Sequence, residues 1–569
     1  MITTSIDTPV ASTKDPNQFA RSGIALVVRL LADRVNWLSV VDTLLPWDRV
    51  RAKLAPSVAL LMLVINVLSC RNPLYTVEVW ADSLPLDLLW GGAVQADQLN
   101  DDALGRVLED VATYGPQLLA TLGTRMQAVD GTGNIWCHTD TSAFALFGDY
   151  PSASAGPTAP IVLTRGHSKD HRPDLKQIMV GMTTDADGSI LGGTMLSGNT
   201  SDRTWNTQWV KQLAEDFPED FWRGKCYIAD SAMMTEPTIR QIRTNGMDWL
   251  GRLPANFNLC DELKTQAWAQ PMTAWDALGA LAQSPTAQSA TYRAQTFDVT
   301  FLDEPARAFV YHSQALDKKK EHTLQREIAR ERERVTKATK KLTREVFHCT
   351  EDAVQAATRT VESLHLHWFT VTPTVTSREV PVKHRGRPKA GRPAEWKTEY
   401  TVALTATDPT SEQIQEERQR RSTFILLSSK MSLDARTALQ EYKAQDQDEH
   451  GFRWVKSPIH LGAFWLEKPE RVAGLGYVLL LALQMVRFMR RQVRAALEDQ
   501  PPLELPEKRR VQKPSEAVIL KALCDLEIRR HPEEGTPWYQ WSAVLPYQRR
   551  ILEALDVPID RRFVWDPSG

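Results

Sequence analysis

At 569 residues this chain is too long for a single hydrophobic core, so its apolar side chains must be divided among about three or four domains. The two most apolar runs, Val58 to Leu68 and Val472 to Val486, are shorter than a bilayer-spanning helix and contain Asn66 and Gln484. They read as core helices of a soluble protein with no membrane partner. Six cysteines (Cys70, Cys137, Cys226, Cys260, Cys349, Cys524) include no CxxC pair, which argues against zinc sites and disulfide frameworks and for a reducing cytosol. The N-terminus lacks the basic-then-apolar order of a signal peptide. A formal charge of −2 excludes a uniformly basic chain, so any nucleic-acid contact must come from local patches.

Composition shifts cut the chain into segments. Residues 1–20 read as a disordered N-terminus. Residues 21–125 are rich in Leu, Val, Ala and Asp at helical spacing, and Asn100 before Asp101 and Asp102 reads as a helix cap with acids in the first turn. That predicts an all-helical domain. Residues 126–256 change to short Gly-punctuated strands followed by alternating helices and strands, the first part of a mixed α/β sheet. Residues 257–420 form an inserted subdomain with a long charged helix from Lys318 to Phe347. Ile328, Val335 and Leu342 recur there every seven residues, which suits a short coiled coil or helical hairpin and a single surface helix alike. Residues 421–497 return to the sheet with STFILLSS, a polar helix, the apolar helix VAGLGYVLLLALQMV and a basic surface at Arg487, Arg490, Arg491 and Arg494. Residues 498–569 read as a Pro-rich linker, QPPLELPEKRRVQKP, and a helical tail with a Trp-rich turn.

The chemistry concentrates between Tyr442 and Lys456. On one helix Tyr442, Gln445, Glu449 and Lys456 share a face, and that face is a phenol, an amide, a carboxylate and an ammonium instead of an apolar stripe. Two upstream acids end apolar strands: Asp140 in NIWCHTDTSAF and Asp230 in KCYIADSAM. Acids just beyond strand ends stand where α/β sheets place ligands and metals. Singly, each aspartate reads more simply as a turn or helix cap. With Glu449 they make an oxygen cage for magnesium, the ions completing their shells with water and phosphate oxygens. Asp130 in VDGTGN is the competing first acid, but its Gly-rich surroundings read as a turn.

At these residues the chain resembles insertion-sequence DDE transposases of the IS-four superfamily, in the subgroup with a long insertion. The resemblance runs through HTDTSAF, GHSKDHRPDLKQIMVGM, GNTSD, YIADSAM and the Tyr442–Lys456 segment, and with the helical N-terminal region spans most of residues 20–490. The signature of that family is Tyr, two residues, Arg, three residues, Glu, six residues, Lys. Tyr442, Glu449 and Lys456 keep the spacing, while Gln445 replaces the Arg and contributes no charge. The resemblance implies an RNase H-like α/β catalytic core, interrupted by the inserted subdomain and flanked by an all-helical N-terminal domain and a helical C-terminal region. The gap between Asp230 and Glu449 (449 − 230 = 219 positions) is what such an insertion accounts for. It further implies two Mg2+ ions (Mn2+ substituting) on Asp140, Asp230 and Glu449, with Tyr442, Gln445 and Lys456 on the DNA backbone. The expected activity is cleavage at terminal inverted repeats and joining of 3′-hydroxyl ends to target DNA. The expected partners are double-stranded DNA and a second copy in the DNA complex, in a bacterial, nucleoid-associated cytosol. A transposase-derived DNA-binding protein without cleavage, a nuclease of the same fold and a helical scaffold are the competing readings.

Two basic segments add DNA-facing candidates. GHSKDHRPDLKQ offers Lys169 and Arg172 ahead of a strand, whereas Pro173 and Gly166 deny His167 and His171 the helix that shared metal ligation needs. HRGRPKAGRP, with Arg385 and Arg387, reads as an AT-hook-like minor-groove element or as a flexible loop binding phosphates without sequence preference.

Overall fold

The computed structural model describes residues 18–19, 22–48, 50, 52–69, 71–131, 133–147, 150, 160–167, 172–218, 220–281, 289–382, 395–456, 466, 468–531 and 537–564. The chain divides into two compact units: residues 1–254, 300–306 and 427–569 form one, and residues 255–299 and 307–426 the other.

Most of the segment expected to be disordered, 1–20, lies outside the described residues, but Gln18–Phe19 forms a short strand, β1. Six helices follow: α1 (Gly23–Arg34), α2 (Trp37–Leu44), α3 (Pro56–Ser69), α4 (Val77–Asp82), α5 (Leu86–Trp90) and α6 (Asp101–Asp130). The apolar run around residues 58–68 is α3, buried almost all round. Asn100 caps α6, its side-chain oxygen accepting the Ala103 N–H at 3.0 Å, and Asp101 and Asp102 occupy the positive end of the helix. Gly131, at φ +66°, ends α6 in the left-handed conformation that suits glycine.

The sheet of this unit is built from β2 (Trp136–Leu146), β3 (Lys176–Asp185), β4 (Ile190–Ser197), β5 (Cys226–Ala229) and β6 (Asp248–Arg252), in the order β4-β3-β2-β5-β6. It is mixed: β2, β3 and β4 are antiparallel, and β5 and β6 run parallel to β2. The parallel strands are joined through α7 (Asp202–Asp216) and α8 (Glu236–Thr244), the crossover that parallel pairing demands. One face of the sheet is covered by α7. Its Trp205 fills the space where Gly181 has no side chain, and the Trp209 indole N–H donates to Thr183 Oγ1 at 2.7 Å.

The chain then passes through the second unit as α9 (Asn258–Trp268), β7 (Asp276–Ala280), β8 (Thr291–Phe301), β9 (Glu304–Ser313), α10 (Gln314–Leu342), α11 (Thr350–Ser363), β10 (Thr370–Pro381), β11 (Trp396–Thr407), α12 (Ser411–Ser422) and β12 (Thr423–Ser428). Strands β10 and β11 form a twelve-pair antiparallel ribbon from Thr370↔Thr407 to Pro381↔Trp396. The heptad-spaced residues of α10 are covered by a mixture of strands and helices and not by one long partner helix among the described residues. Leu324 and Ile328 pack on Trp368 and Phe369, and Leu342 packs on Ala353, Ala357, Val402 and Leu404. Helix α10 also packs on α12, with Ile414 in the same cluster and Arg418–Glu321 and Arg421–Glu327 joining the two helices, and it stops at Leu342, short of Phe347.

Back in the first unit come α13 (Ala435–Lys443), α14 (Asp446–Lys456), α15 (Pro469–Ala496), β13 (Leu503–Glu504), β14 (Arg510–Val511), α16 (Glu516–Cys524), β15 (Ile528–His531), β16 (Trp538–Trp541) and α17 (Pro546–Ala554). By length and hydropathy α15 could cross a bilayer, yet 94% of its apolar window is buried inside the fold. It crosses α6 so closely that neither Gly474 nor Gly115 has room for a Cβ, Leu108 backbone and the Tyr477 ring filling those places. The basic surface expected at its end does not exist. Arg487 and Arg490 are buried, Arg490 pairs with Glu516 at 2.6 Å, Arg494 donates to the Pro514 carbonyl, and Arg491 bridges Asp130, Asp185 and Asp187. A buried guanidinium needs such partners, and this helix packs where carboxylates supply them. The expected linker is also ordered differently: β13 and β14 form a small hairpin with Leu503 and Leu505 buried. In the tail, β15 pairs with both β16 and β1, so it is not purely helical.

Candidate active site

The parallel ladder between β2 and β5 sets Trp136 beside Cys226, Cys137 beside Tyr227 and His138 beside Ile228. Continuing that register by two positions puts Asp140 beside Asp230. In-register side chains of neighbouring strands leave the sheet on the same face, so the extended register sets the two aspartates on one side of the sheet, and both act on the Tyr442 hydroxyl. The next ladder pairs Ala229 with Gly251, and one position further sets Arg252 beside Asp230. Three charged residues thus stand in a row where the parallel ladders run out, Asp140 within β2 and Asp230 and Arg252 at the carboxyl ends of β5 and β6, and open sheets bind ligands at such ends.

Asp140 does not end its strand. Thr141 to Leu146 continue β2 because they remain paired to β3, Asp140 itself lying opposite Met182. What ends near Asp140 is the cover of β5, so its half-buried carboxylate stands where the parallel ladder opens. Asp230 follows β5 directly and is exposed. Its Oδ1 accepts the Ala232 N–H at 2.9 Å, capping a short turn. The simple capping role and the site role therefore coexist in one residue.

The helical face inferred from Tyr442 to Lys456 is broken. Helix α13 ends at Lys443, the Ala444 N–H closing on the carbonyls of Gln440 and Glu441, and α14 begins at Asp446. In sequence the acid-rich run DQDE suits a first helical turn, in keeping with a helix that starts at Asp446. Tyr442 therefore reaches the site from α13, which packs on β5 and β6, and Gln445 lies in the turn. Burial raises the Tyr442 phenol above its ordinary pKa; Arg252 pulls the other way, while Asp230 and Asp140 add to the rise. All three members of the row act on this one hydroxyl.

Helix α14 lies on β2 and β3 with Gly451, Phe452 and Val455 buried. Gly451 sits against Met182, the strand partner of Asp140, and the Lys456 ammonium lies 5.5 Å from the centre of the Phe144 ring. The helix thus runs in the direction of β2. Glu449 stands two residues, about 3 Å along the helix axis, before Gly451. Its side chain is exposed, and among the described residues no three His, Cys, Asp or Glu side chains form a group able to hold a metal. The structure brings Asp140, Asp230 and Tyr442 together and leaves Glu449 outside that group.

The remaining candidates stand apart. Arg172 is tied to Asp174 (2.9 and 2.7 Å) and lies over the Phe147 ring, which offsets its charge. Lys169, Arg385 and Arg387 lie outside the described residues. Asp130 belongs to the buried Arg491 network and is no part of this row.

Two features went unread in the sequence. Arg252 closes DWLGR as Asp230 follows CYIA, a parallel that two strand-end positions could have signalled. His138, fully buried two residues before Asp140, has no hydrogen-bond partner on either ring nitrogen among the described residues. Burial pushes its pKa down to about 4, and Glu441 Oε2 lies 3.8 Å from its Nε2.

The transposase DDE domain family matches residues 123–485, well over half of the chain, and all of Asp140, Asp230, Arg252, Tyr442, Glu449 and Lys456 fall within that match. The chain belongs to this DDE transposase family. Residues 23–122, the helices ahead of the DDE domain, match a domain of unknown function, DUF4277. No curated protein matches the chain. A cryo-EM structure of a piggyBac transposase synaptic complex with hairpin DNA aligns over 89% of this chain and 79% of its own, at 9% identity and a TM-score of 0.36. A likeness at that level places no residue of this chain.

Proposed function

We propose that this protein is the DNA transposase of an insertion sequence, acting through an RNase H-like core. It cuts a strand at each terminal inverted repeat and joins the freed 3′-hydroxyl to target DNA. The observation that carries this reading is the β2–β5 ladder, whose register, extended two positions past its last pair His138–Ile228, sets Asp140 level with Asp230. Two adjacent carboxylates are hard oxygen donors, and magnesium typically takes one or two of them together with water and substrate phosphate. Asp140 and Asp230 would hold that ion, or manganese, and we take Glu449, exposed on α14 outside that pair, as the third acid. Bound there, divalent metal supplies charge stabilisation to the attacking and leaving oxygens of a phosphodiester exchange.

The chain's own groups orient the DNA. With its phenol held protonated, Tyr442 donates a hydrogen bond to a phosphate oxygen. The Gln445 amide donates a second, uncharged one, and Lys456 places a positive charge further along β2. In the first step a water oxygen bonds to phosphorus and the bond to the 3′-oxygen breaks, leaving a 3′-hydroxyl and a 5′-phosphate. In the second, that hydroxyl attacks a target phosphodiester and releases a target 3′-hydroxyl. Joining two element ends calls for two copies of the chain on DNA, in the nucleoid of a bacterial cytosol.

A labelled duplex carrying the DNA that flanks the gene tests this reading. Glu449→Gln is expected to bind that duplex as the wild type does and to nick it at least about 100-fold more slowly in magnesium. Full nicking by the variant would remove Glu449 from the site. Binding by the wild type with no nicking at all would favour a transposase-derived DNA-binding protein.

A further inference from the structure

We propose that Arg252 is the phosphate-binding cation of this site, supplying from β6 the positive charge that Gln445 lacks. The inference rests on the DNA reading above and deepens it. The geometry is the row Asp140–Asp230–Arg252: the ladder from β5 to β6 fixes Arg252 one strand further from β2, on the face that the two acids use. Its side chain is exposed at the strand end, so an incoming phosphate can reach it. Gly251 packs against the side chains of Met233 and Met234, which belong to the turn that Asp230 caps. Helix α13 packs on β5 and β6, bringing Tyr442 to the same place and leaving Gln445 in the turn that follows.

A guanidinium offers two parallel N–H donors to a phosphate, a geometry that an amide cannot match in charge. Beside two carboxylates it also lowers the repulsion a polyanionic backbone meets on approach. In this arrangement the acids hold the metal side of the phosphodiester and Arg252 holds a non-bridging oxygen on the β6 side.

The test uses the full chain and the labelled flanking duplex, with Arg252→Gln, Arg252→Lys and the double variant Arg252→Gln with Gln445→Arg. Equal thermal melting of the variants and the wild type shows that each is folded. With a chelator present, so that nothing is cut, the slope of log binding constant against log salt should shrink by about one unit in Arg252→Gln. In magnesium, nicking should fall about 100-fold in Arg252→Gln, recover in part in Arg252→Lys, and recover at least about tenfold in the double variant. An unchanged salt slope in Arg252→Gln overturns the proposal, whether or not the wild type cuts. A wild type that binds but does not nick defeats the enzymatic reading alone, and the salt slope still decides Arg252.

Discussion

Tyr442 is the residue on which the site converges, since the charges of Asp140, Asp230 and Arg252 all reach its hydroxyl. Tyr442→Phe keeps the ring and removes only the donor, so nicking of the flanking duplex is expected to slow by about tenfold while the melting temperature holds. A loss confined to stability would make Tyr442 a packing residue. A second titrating group lies away from the site. Asp216, at the end of α7, accepts from Gln212 Nε2 at 2.9 Å, yet burial raises its pKa from 3.8 to about 6, outweighing that bond, with Glu215 adding to the rise. A raised folded pKa means that the protonated form is the one the fold favours. The stability tied to it is full below about pH 3.8 and is lost as pH climbs through about 6. Asp216→Asn is therefore expected to melt about 1–3 °C above the wild type at pH 7.5 and level with it near pH 4, as read by calorimetry. An equal gap at both pH values would show that burial of the charge is not the cause. At this scale the sequence shows the acids plainly and misjudges the arginines. QMVRFMRRQVR looks like a solvated basic face because charge is visible in a sequence and its partners are not. Asp130, Asp185 and Asp187 lie more than 300 positions away from Arg491.

At the scale of elements, the close crossing of α6 and α15 holds the N-terminal helices to the catalytic sheet. Gly474 meets the backbone of Leu108, which cannot swing aside as a side chain can. Gly474→Ala should separate the helices and cost about 1–3 kcal/mol, seen as a melting shift of several degrees, whereas Gly133→Ala, with open space around it, should leave melting unchanged. Equal shifts in both would mean that the crossing is not tight. The strands β2 to β6 were legible because each is a short apolar run closed by Gly, Asp or a turn, a local signal. Their register is not local, and it alone sets Asp140 beside Asp230 and Arg252. The break at Ala444–Gln445 was missed for a related reason. A 3.6-residue spacing fits Tyr442, Gln445, Glu449 and Lys456 whether one helix or two carry them, and only the acids of DQDE hinted at a fresh helix start. In the same way the seven-residue repeat of α10 specifies an apolar stripe and says nothing of what covers it, which here is Trp368, Phe369, α11, α12 and β11.

For the whole molecule, the DDE match covers residues 123–485 while the second unit, residues 255–299 and 307–426, is threaded between β6 and α13. Every charged residue of the proposed site lies in the first unit, so the interruption separates Asp230 from Glu449 in sequence without separating their supporting elements in the fold. The central claim is that the in-register carboxylates Asp140 and Asp230 make this family member a metal-dependent DNA-cutting enzyme. Strand nicking of the labelled flanking duplex, measured for the wild type, Asp140→Asn and Asp230→Asn at matched folding and DNA binding, tests it most directly. Magnesium-dependent nicking by the wild type, abolished by a chelator, is expected, with a fall of at least about 1000-fold in each variant. Nicking by well-folded Asp230→Asn at the wild-type rate would contradict it.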